Sequence, residues 1–566
     1  MKIAHYLLPL ILYSISLYAT PIISNNAIHH PVVGKYGMVA TQERHATQVG
    51  LNLLKQGGNA IDAAVAIGFT LAVTHPQAGN LGGGGFMMIH IASENRTIAL
   101  DFRETAPKNA HKHMFLNSTG NVDTQLSRFS LQSSGVPGSV HGLLTALNDF
   151  GSMPRKKVIQ PAIKLAKGGI VVSNELSNSL KRAKKRLMKD PTIRPIFYPN
   201  NNALDTGEKL IQKDLAKSLK RISKHGKTGF YEGKTANQLS NFMKNNNGLI
   251  SKSDLKNYRS KYRKPIKVKY RDTHIYSMPP PSSGGIIMAQ ILKLIEPYPL
   301  KKWGHNSAKT IHIMSEAMQL AYTDRAGWLG DDDFVNVPKK DLLSPVYIRE
   351  RRKKIQLNRH SPSINISHGN LFESDETTHY SVVDQWGNAV SVTTTLNFSF
   401  GSGIAIPGTG ILLNNEMDDF SAKPGVPNAY GLIGNERNAI APNKRMLSSM
   451  TPTIVLKNNQ VFLVTGSPGG SRIITTVTQI ISNVIDHNMN IAEASHASRF
   501  HHQWQPDELR IEPNGLSNDT LKKLQRLGHN IKIKRVMGST QSIIKQNGRL
   551  YGSSDPRTPS GLTLGY

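Results

Sequence analysis

The chain has 566 residues, 38 % hydrophobic and 19 % charged, which suits a soluble globular protein with a sizeable core and excludes fibrous and disordered classes. It has no cysteine, so disulfides, thiolate metal sites and a thiol nucleophile are excluded, leaving hydroxyls, carboxylates, imidazoles and amines for any chemistry. The net charge of +31 is uneven: residues 377–566 hold 17 Lys and Arg against 12 Asp and Glu, and residues 1–376 hold 52 against 26.

Residues 1–19 open with Met1-Lys2, run apolar from 6 to 18 and end at Ala19. This reads as a secretory signal cut after Ala19, since the apolar run falls short of the roughly 20 residues that span a bilayer. No later stretch is apolar enough to span, and export without cysteine points to a bacterial periplasm. Residues 38–41 predict a strand, 46–56 a helix and 59–73 a second helix rich in alanine, which packs closely on a sheet. Gly79-Asn80-Leu81-Gly82-Gly83-Gly84-Gly85-Phe86 has neither the Lys-Ser/Thr ending nor the following helix of a phosphate loop, so it predicts a tight backbone turn before a strand over 87–91. A strand over 97–100 leads into Asp101-Phe102-Arg103-Glu104.

Residues 140–258 predict basic helices; the runs at 181–186, 261–271 and 349–354 lack the interleaved aromatics of a stacking platform, so they read as a solvated face and no nucleic-acid partner is expected. Pro279-Pro280-Pro281-Ser282-Ser283-Gly284-Gly285 opens a helix to 294, and helices continue to about 324. Residues 349–376 turn polar and irregular, a linker by composition. Beyond it 377–384 and 389–396 alternate around Gln385-Trp386-Gly387-Asn388, predicting a hairpin that begins at Thr377 or Thr378. A second hairpin is predicted over 451–456 and 460–465, and Gly466-Ser467-Pro468-Gly469-Gly470-Ser471 then opens a helix over 472–485. No internal repeat is visible.

A polar linker ending directly at a strand that starts Thr-Thr-His is what an N-terminal nucleophile hydrolase needs. Cleavage between Glu376 and Thr377 would free an α-amine, with an ordinary pKa near 8, beside the hydroxyl whose proton it must take. Spacing alone is weak, because threonines at strand starts are mostly β-formers. The surrounding segments carry more: Thr377-Thr378-His379-Tyr380-Ser381-Val382-Val383-Asp384, Thr395-Leu396-Asn397, Leu412-Leu413-Asn414-Asn415-Glu416-Met417-Asp418-Asp419-Phe420, Leu447-Ser448-Ser449-Met450 and Gly466 to Ser471. In that order they closely resemble the γ-glutamyltranspeptidase family, from about Gly34 to Tyr566.

The resemblance implies roles. Thr377 is the expected nucleophile, Thr395 the hydroxyl that orients it, and Gly469 and Gly470 the oxyanion hole. Arg103 with Ser448 and Ser449 is expected to hold the substrate's α-carboxylate, and Asn397, Glu416 and Asp419 its α-ammonium. Lys423-Pro424-Gly425-Val426-Pro427-Asn428-Ala429-Tyr430-Gly431 resembles the family's lid loop, with Tyr430 closing the pocket. The implied fold is α+β, a four-layer αββα sandwich of the N-terminal nucleophile hydrolase type. It is built from two fragments of one precursor, a large one over 20–376 and a small catalytic one over 377–566 that remain a heterodimer. The implied reaction needs no cofactor and passes a γ-glutamyl group from glutathione or a related amide to water, an amino acid or a dipeptide.

Two histidine readings are set aside. His379 sits two residues from the nucleophile on the same strand face, and the family needs no histidine base, so it is expected to be structural. His501 and His502 are adjacent on an extended segment and point opposite ways with no evident carboxylate set, so no metal site is expected. Two competing functions remain: a side-chain acylase acting on cephalosporins, against which the lid and the two acids speak, and an exported binding protein that kept the fold without the chemistry.

Overall fold

A computed structural model describes residues 27–363 and 377–566. Its centre is a pair of seven-stranded antiparallel sheets, stacked face to face with helices over both outer faces. The first sheet runs Leu562–Gly565, Met38–Thr41, Thr377–Val383, Ala389–Thr395, Gly84–Ile91, Arg96–Asp101 and Lys261–Arg263. The second runs Val32–Gly34, Arg549–Ser554, Gln541–Gln546, Gln460–Thr465, Thr453–Lys457, Thr273–Ser277 and Ile266–Tyr270.

Side-chain alternation along the strands builds the layers. Met38, Ala40, Phe86 and Met88 point between the sheets, while Val39, Met87 and Ile89 point to the helices on the first sheet's outer face. The helix Ala60–Thr74 on that face, apolar but for Asp62, Thr70 and Thr74, is buried along its whole length. Its capping box, Asn59 with Asp62, satisfies the first-turn N–H groups inside the protein. The opposite outer layer holds Gly284–Ile295, Ala308–Trp328 and Arg472–Ile485. The fold is therefore α+β and αββα.

The predicted hairpin is present, with Thr377 opposite Thr395 and Val383 opposite Ala389. Between the sheets this hairpin is lined with hydroxyls: Ser391 Oγ donates to the Thr465 carbonyl at 3.0 Å and Ser381 Oγ to that of Gln541 at 2.8 Å. These bonds tie the hairpin to the second sheet. Gly466 is required here, because a Cβ at that position would lie 2.2 Å from the His379 ring.

Two expectations shift. Residues 349–352 are not irregular but form the last turn of the helix Pro345–Arg352, which Ser344 caps and Pro345 starts at the position proline favours. The C-terminal strands Gln541–Gln546, Arg549–Ser554 and Leu562–Gly565 were not foreseen, and the last of them closes an edge of the first sheet. Each sheet thus takes strands from both sides of residue 377. The 1–19 signal reading and Glu376 lie outside the described residues, and among those described no helix is long and apolar enough to cross a membrane.

Candidate active site

Thr377 begins its strand at one end of the first sheet, 7 % exposed, beside Thr395 on the neighbouring strand. Thr395 Oγ1 accepts the Asn397 N–H at 2.8 Å, tying the end of the second strand to the turn that follows. Asn397 takes a positive φ of 74°, which asparagine tolerates better than most residues, and its amide donates to the Asn415 carbonyl at 3.0 Å. Its Oδ1 accepts the Tyr430 hydroxyl at 2.6 Å. Tyr430 is thereby latched to the turn that carries Asn397.

Tyr430 rests on Gly470. A Cβ there would lie 2.5 Å from the tyrosine ring, and the backbone φ of 55° also favours glycine. Neither the Gly469 nor the Gly470 N–H donates to any acceptor among the described residues. Two backbone donors before the helix Arg472–Ile485 are thus without an acceptor among the described residues, and of the two glycines Gly470 lines the cavity. We expect Gly470→Ala to displace the ring and lower kcat/KM by at least about 10-fold, the scale of misplacing a positioning group. Unchanged steady-state kinetics would show that the ring does not seat there.

Arg103 is completely buried, with Tyr258 fixing its backbone through a 2.8 Å bond to its carbonyl. Its Nη1 pairs with Glu416 Oε1 and its Nη2 with Asp419 Oδ2 at 2.5 Å, while Glu104 approaches to 3.7 Å. Burial opposes the Arg103 charge, but the three acids outweigh it and its pKa is raised. Burial also raises Glu416 and Asp419, and pushes Glu104 up to about 7. Both Glu104 oxygens and Glu416 Oε2 lack hydrogen-bond partners among the described residues. The acids assigned to the ammonium and the arginine assigned to the carboxylate are therefore paired with each other.

Ser448 is held by Pro281 and Ser283: its N–H donates to the Pro281 carbonyl and its carbonyl accepts the Ser283 N–H, each at 2.8 Å. Ser449 Oγ accepts from Arg325 at 3.4 Å. Arg325, from the helix Ala308–Trp328, was not foreseen, since nothing in its local sequence separates it from an ordinary helical arginine. It is buried, bonds Ser283 Oγ at 3.0 Å, and desolvation lowers its pKa to about 10. Thr377, Thr395, Arg103, Asn397, Glu416, Asp419, Ser448, Ser449, Tyr430 and Gly470 all line one cavity with Arg325, whose free space is only about 20 Å³, room for about one water.

His379 lies outside this cavity. Its Nδ1 meets Thr393 Oγ1 at 2.9 Å, and burial lowers its pKa to about 3, so it is neutral in the working range. His501 is likewise buried, on Thr475 and Gln503. The expectation that His502 lacks a carboxylate is corrected: chain folding brings in Asp507, at 3.1 Å from His502 and 3.0 Å from His360, and Glu316 meets the other His360 nitrogen at 2.6 Å. His502 Nδ1 accepts the Trp504 N–H at 3.1 Å, so its Nε2 carries the proton and donates to Asp507.

This pairing favours the charged form of His360. Burial lowers its pKa, but bonds to Asp507 and Glu316 raise it to about 9, above the usual 6.5. The stabilisation is complete below about 6.5 and is lost as pH rises through 9. Thermal unfolding of the wild type should therefore weaken between these values relative to His360→Gln; parallel curves would contradict the pairing.

The family profile described as Gamma-glutamyltranspeptidase matches residues 46–564. A glutathione hydrolase proenzyme of Escherichia coli K12 is 53 % identical over 543 residues, covering 95 % of this chain and 93 % of the relative. Among solved structures, a cephalosporin acylase from Bacillus halodurans superposes with a TM-score of 0.84 at 27 % identity over 97 % of this chain and 98 % of its own. The γ-glutamyltranspeptidase of Helicobacter pylori gives a TM-score of 0.56 at 42 % identity, over 60 % of this chain and 95 % of its own. Profile and relatives agree along nearly the whole sequence, and the chain belongs to the γ-glutamyltranspeptidase family.

Proposed function

We propose that the protein is a self-processing γ-glutamyltransferase and glutathione hydrolase whose nucleophile is Thr377. The observation that carries this is one tight cavity holding a strand-initial threonine, two unused glycine N–H donors nearby, and a buried guanidinium between carboxylates. A γ-glutamyl group ends in an ammonium and a carboxylate on one carbon. It can enter the Arg103 pair by exchange, its ammonium taking Glu416 and Asp419 while its carboxylate takes Arg103, Ser448 and Ser449. No buried charge is then left alone.

The precursor is read as a signal over 1–19, a large fragment over 20–376 and a small one over 377–566, exported to the periplasm. The Thr377 hydroxyl attacks the Glu376 carbonyl, the peptide nitrogen leaves as the α-amine, and water opens the resulting ester. In turnover the α-amine takes the hydroxyl proton as oxygen attacks the γ-carbonyl. The oxyanion forms against the Gly469 and Gly470 N–H groups, and the proton passes to the departing amine. Water, an amino acid or a dipeptide then takes the γ-glutamyl group from the threonine.

The likeness to a cephalosporin acylase favours a second reading, amide cleavage of larger side chains. The seated Tyr430 and the paired acids weigh against it. A γ-glutamyl anilide assay with and without a dipeptide decides: release of the aniline, accelerated by the dipeptide, is expected. Cleavage of a cephalosporin side chain with none of the anilide would reject the proposal.

A further inference from the structure

Thr377 is the one residue shared by two spaces. One is the tight cavity described above, and the other is a separate groove of about 360 Å³ that Thr377 also lines, roomy enough for a dipeptide. If the cavity takes the γ-glutamyl half of a donor, the groove must take what leaves and what replaces it. The groove's walls are not neutral. Arg182 and Arg535 are exposed along it, and Arg557 lies deeper, its charge met by Glu512 and Asp555. The acid on the walls is Glu175, which accepts from Ser560 Oγ.

Arg182 differs from its neighbours. It sits on the helix Asn174–Leu187, and among the described residues its side chain makes no hydrogen bond, ion pair or ring contact. Arg186 on the same helix instead serves the fold, donating to the Gly401 carbonyl at 2.7 Å and stacking over Phe129. Past Arg182 the groove continues into a larger one of about 940 Å³, which shares Ser179 and Arg182 and adds the exposed Lys185 and Lys189. Neither lysine has an ion-pair partner among the described residues. Unpaired cations thus line both spaces, Arg182 the groove that Thr377 also lines and Lys185 and Lys189 the larger one that it joins.

We propose that this groove is a subsite for the free carboxylate of the leaving peptide and of peptide acceptors, with Arg182 as its specificity-determining residue; this rests on the γ-glutamyl reading of Thr377. Part of the basic surface of the large fragment would then select substrate. A donor whose departing portion ends in a carboxylate gains a charge-assisted contact there, and the same donor with an amidated end does not.

The test compares wild type, Arg182→Gln and Arg182→Glu on three donors: glutathione, its C-terminal amide, and a γ-glutamyl anilide, which has no carboxylate on its leaving group. Arg182 is exposed on a helix surface, so the variants should fold and process as wild type does. Arg182→Gln should lower kcat/KM for glutathione about five-fold, the size of one partly exposed charge pair, and Arg182→Glu should lower it further. The amide and the anilide should be unaffected, and added salt should narrow the glutathione difference in the wild type alone. Equal losses on all three donors, or none on glutathione, would overturn the subsite while leaving the γ-glutamyl reading intact. A wild type inactive on all three would overturn that reading and the subsite with it.

Discussion

Thr377→Ala is expected to purify as one uncut chain with turnover at background, a loss of more than about 10³-fold in kcat. Both results have one cause. The substitution removes the oxygen that attacks the preceding peptide bond and the oxygen that carries the acyl group. The methyl of alanine still fits the strand start, where Thr377 is 7 % exposed and held in register opposite Thr395. The fold should therefore survive, and an unchanged circular dichroism spectrum would separate lost chemistry from lost structure. Thr377→Ser, which keeps the hydroxyl, should retain some of both activities. A Thr377→Ala protein that still splits, or still turns over a γ-glutamyl donor, would reject Thr377 as the nucleophile.

The second large effect concerns Arg103. Arg103→Met leaves Glu104, Glu416 and Asp419 facing one another in a buried site with their cation gone. Breaking one side of such a pairing costs about 3–5 kcal/mol of stability. For a γ-glutamyl donor kcat/KM should fall by about 2–5 kcal/mol, roughly 30- to 5,000-fold. Arg103→Lys should also fail in part, because an ammonium cannot reproduce the planar fork that reaches both Glu416 and Asp419. Activity and stability are separable here. Adding Glu416→Gln to Arg103→Met removes one of the crowded charges and should restore stability without restoring activity. Wild-type kcat/KM in Arg103→Met would exclude this arginine from substrate binding.

The site was legible in the sequence to the extent that it is written in short segments. The hairpin starting at Thr377, the Gly469-Gly470 turn and the paired serines each lie in a few consecutive residues whose pattern and composition are informative. What sequence could not give is how these segments engage one another. Arg103 reaches carboxylates 313 and 316 residues away, and no local feature says that the three form one ion-paired group. Arg325 is silent for the same reason, as an arginine in a helix that becomes a buried cation only when Ser283 and Ser449 are folded against it. Asp507 escaped notice as a partner of His502, because the short segment between them turns back on itself and then meets His360 from the other side of residue 377. In the fold, the missed elements include the C-terminal strands, whose pairing with Met38–Thr41 and Val32–Gly34 is settled by long-range packing.

The most direct measurement is mass spectrometry of the denatured, active protein before and after a brief exposure to a γ-glutamyl donor. Before exposure it should contain two fragments, the smaller beginning at Thr377. After exposure that fragment alone should gain one γ-glutamyl group, localised by fragmentation to its first residue and removed by hydroxylamine, as an ester would be. A catalytic fragment beginning at any other residue, or a γ-glutamyl group carried elsewhere in the chain, would contradict the assignment of Thr377 as both cleavage point and nucleophile.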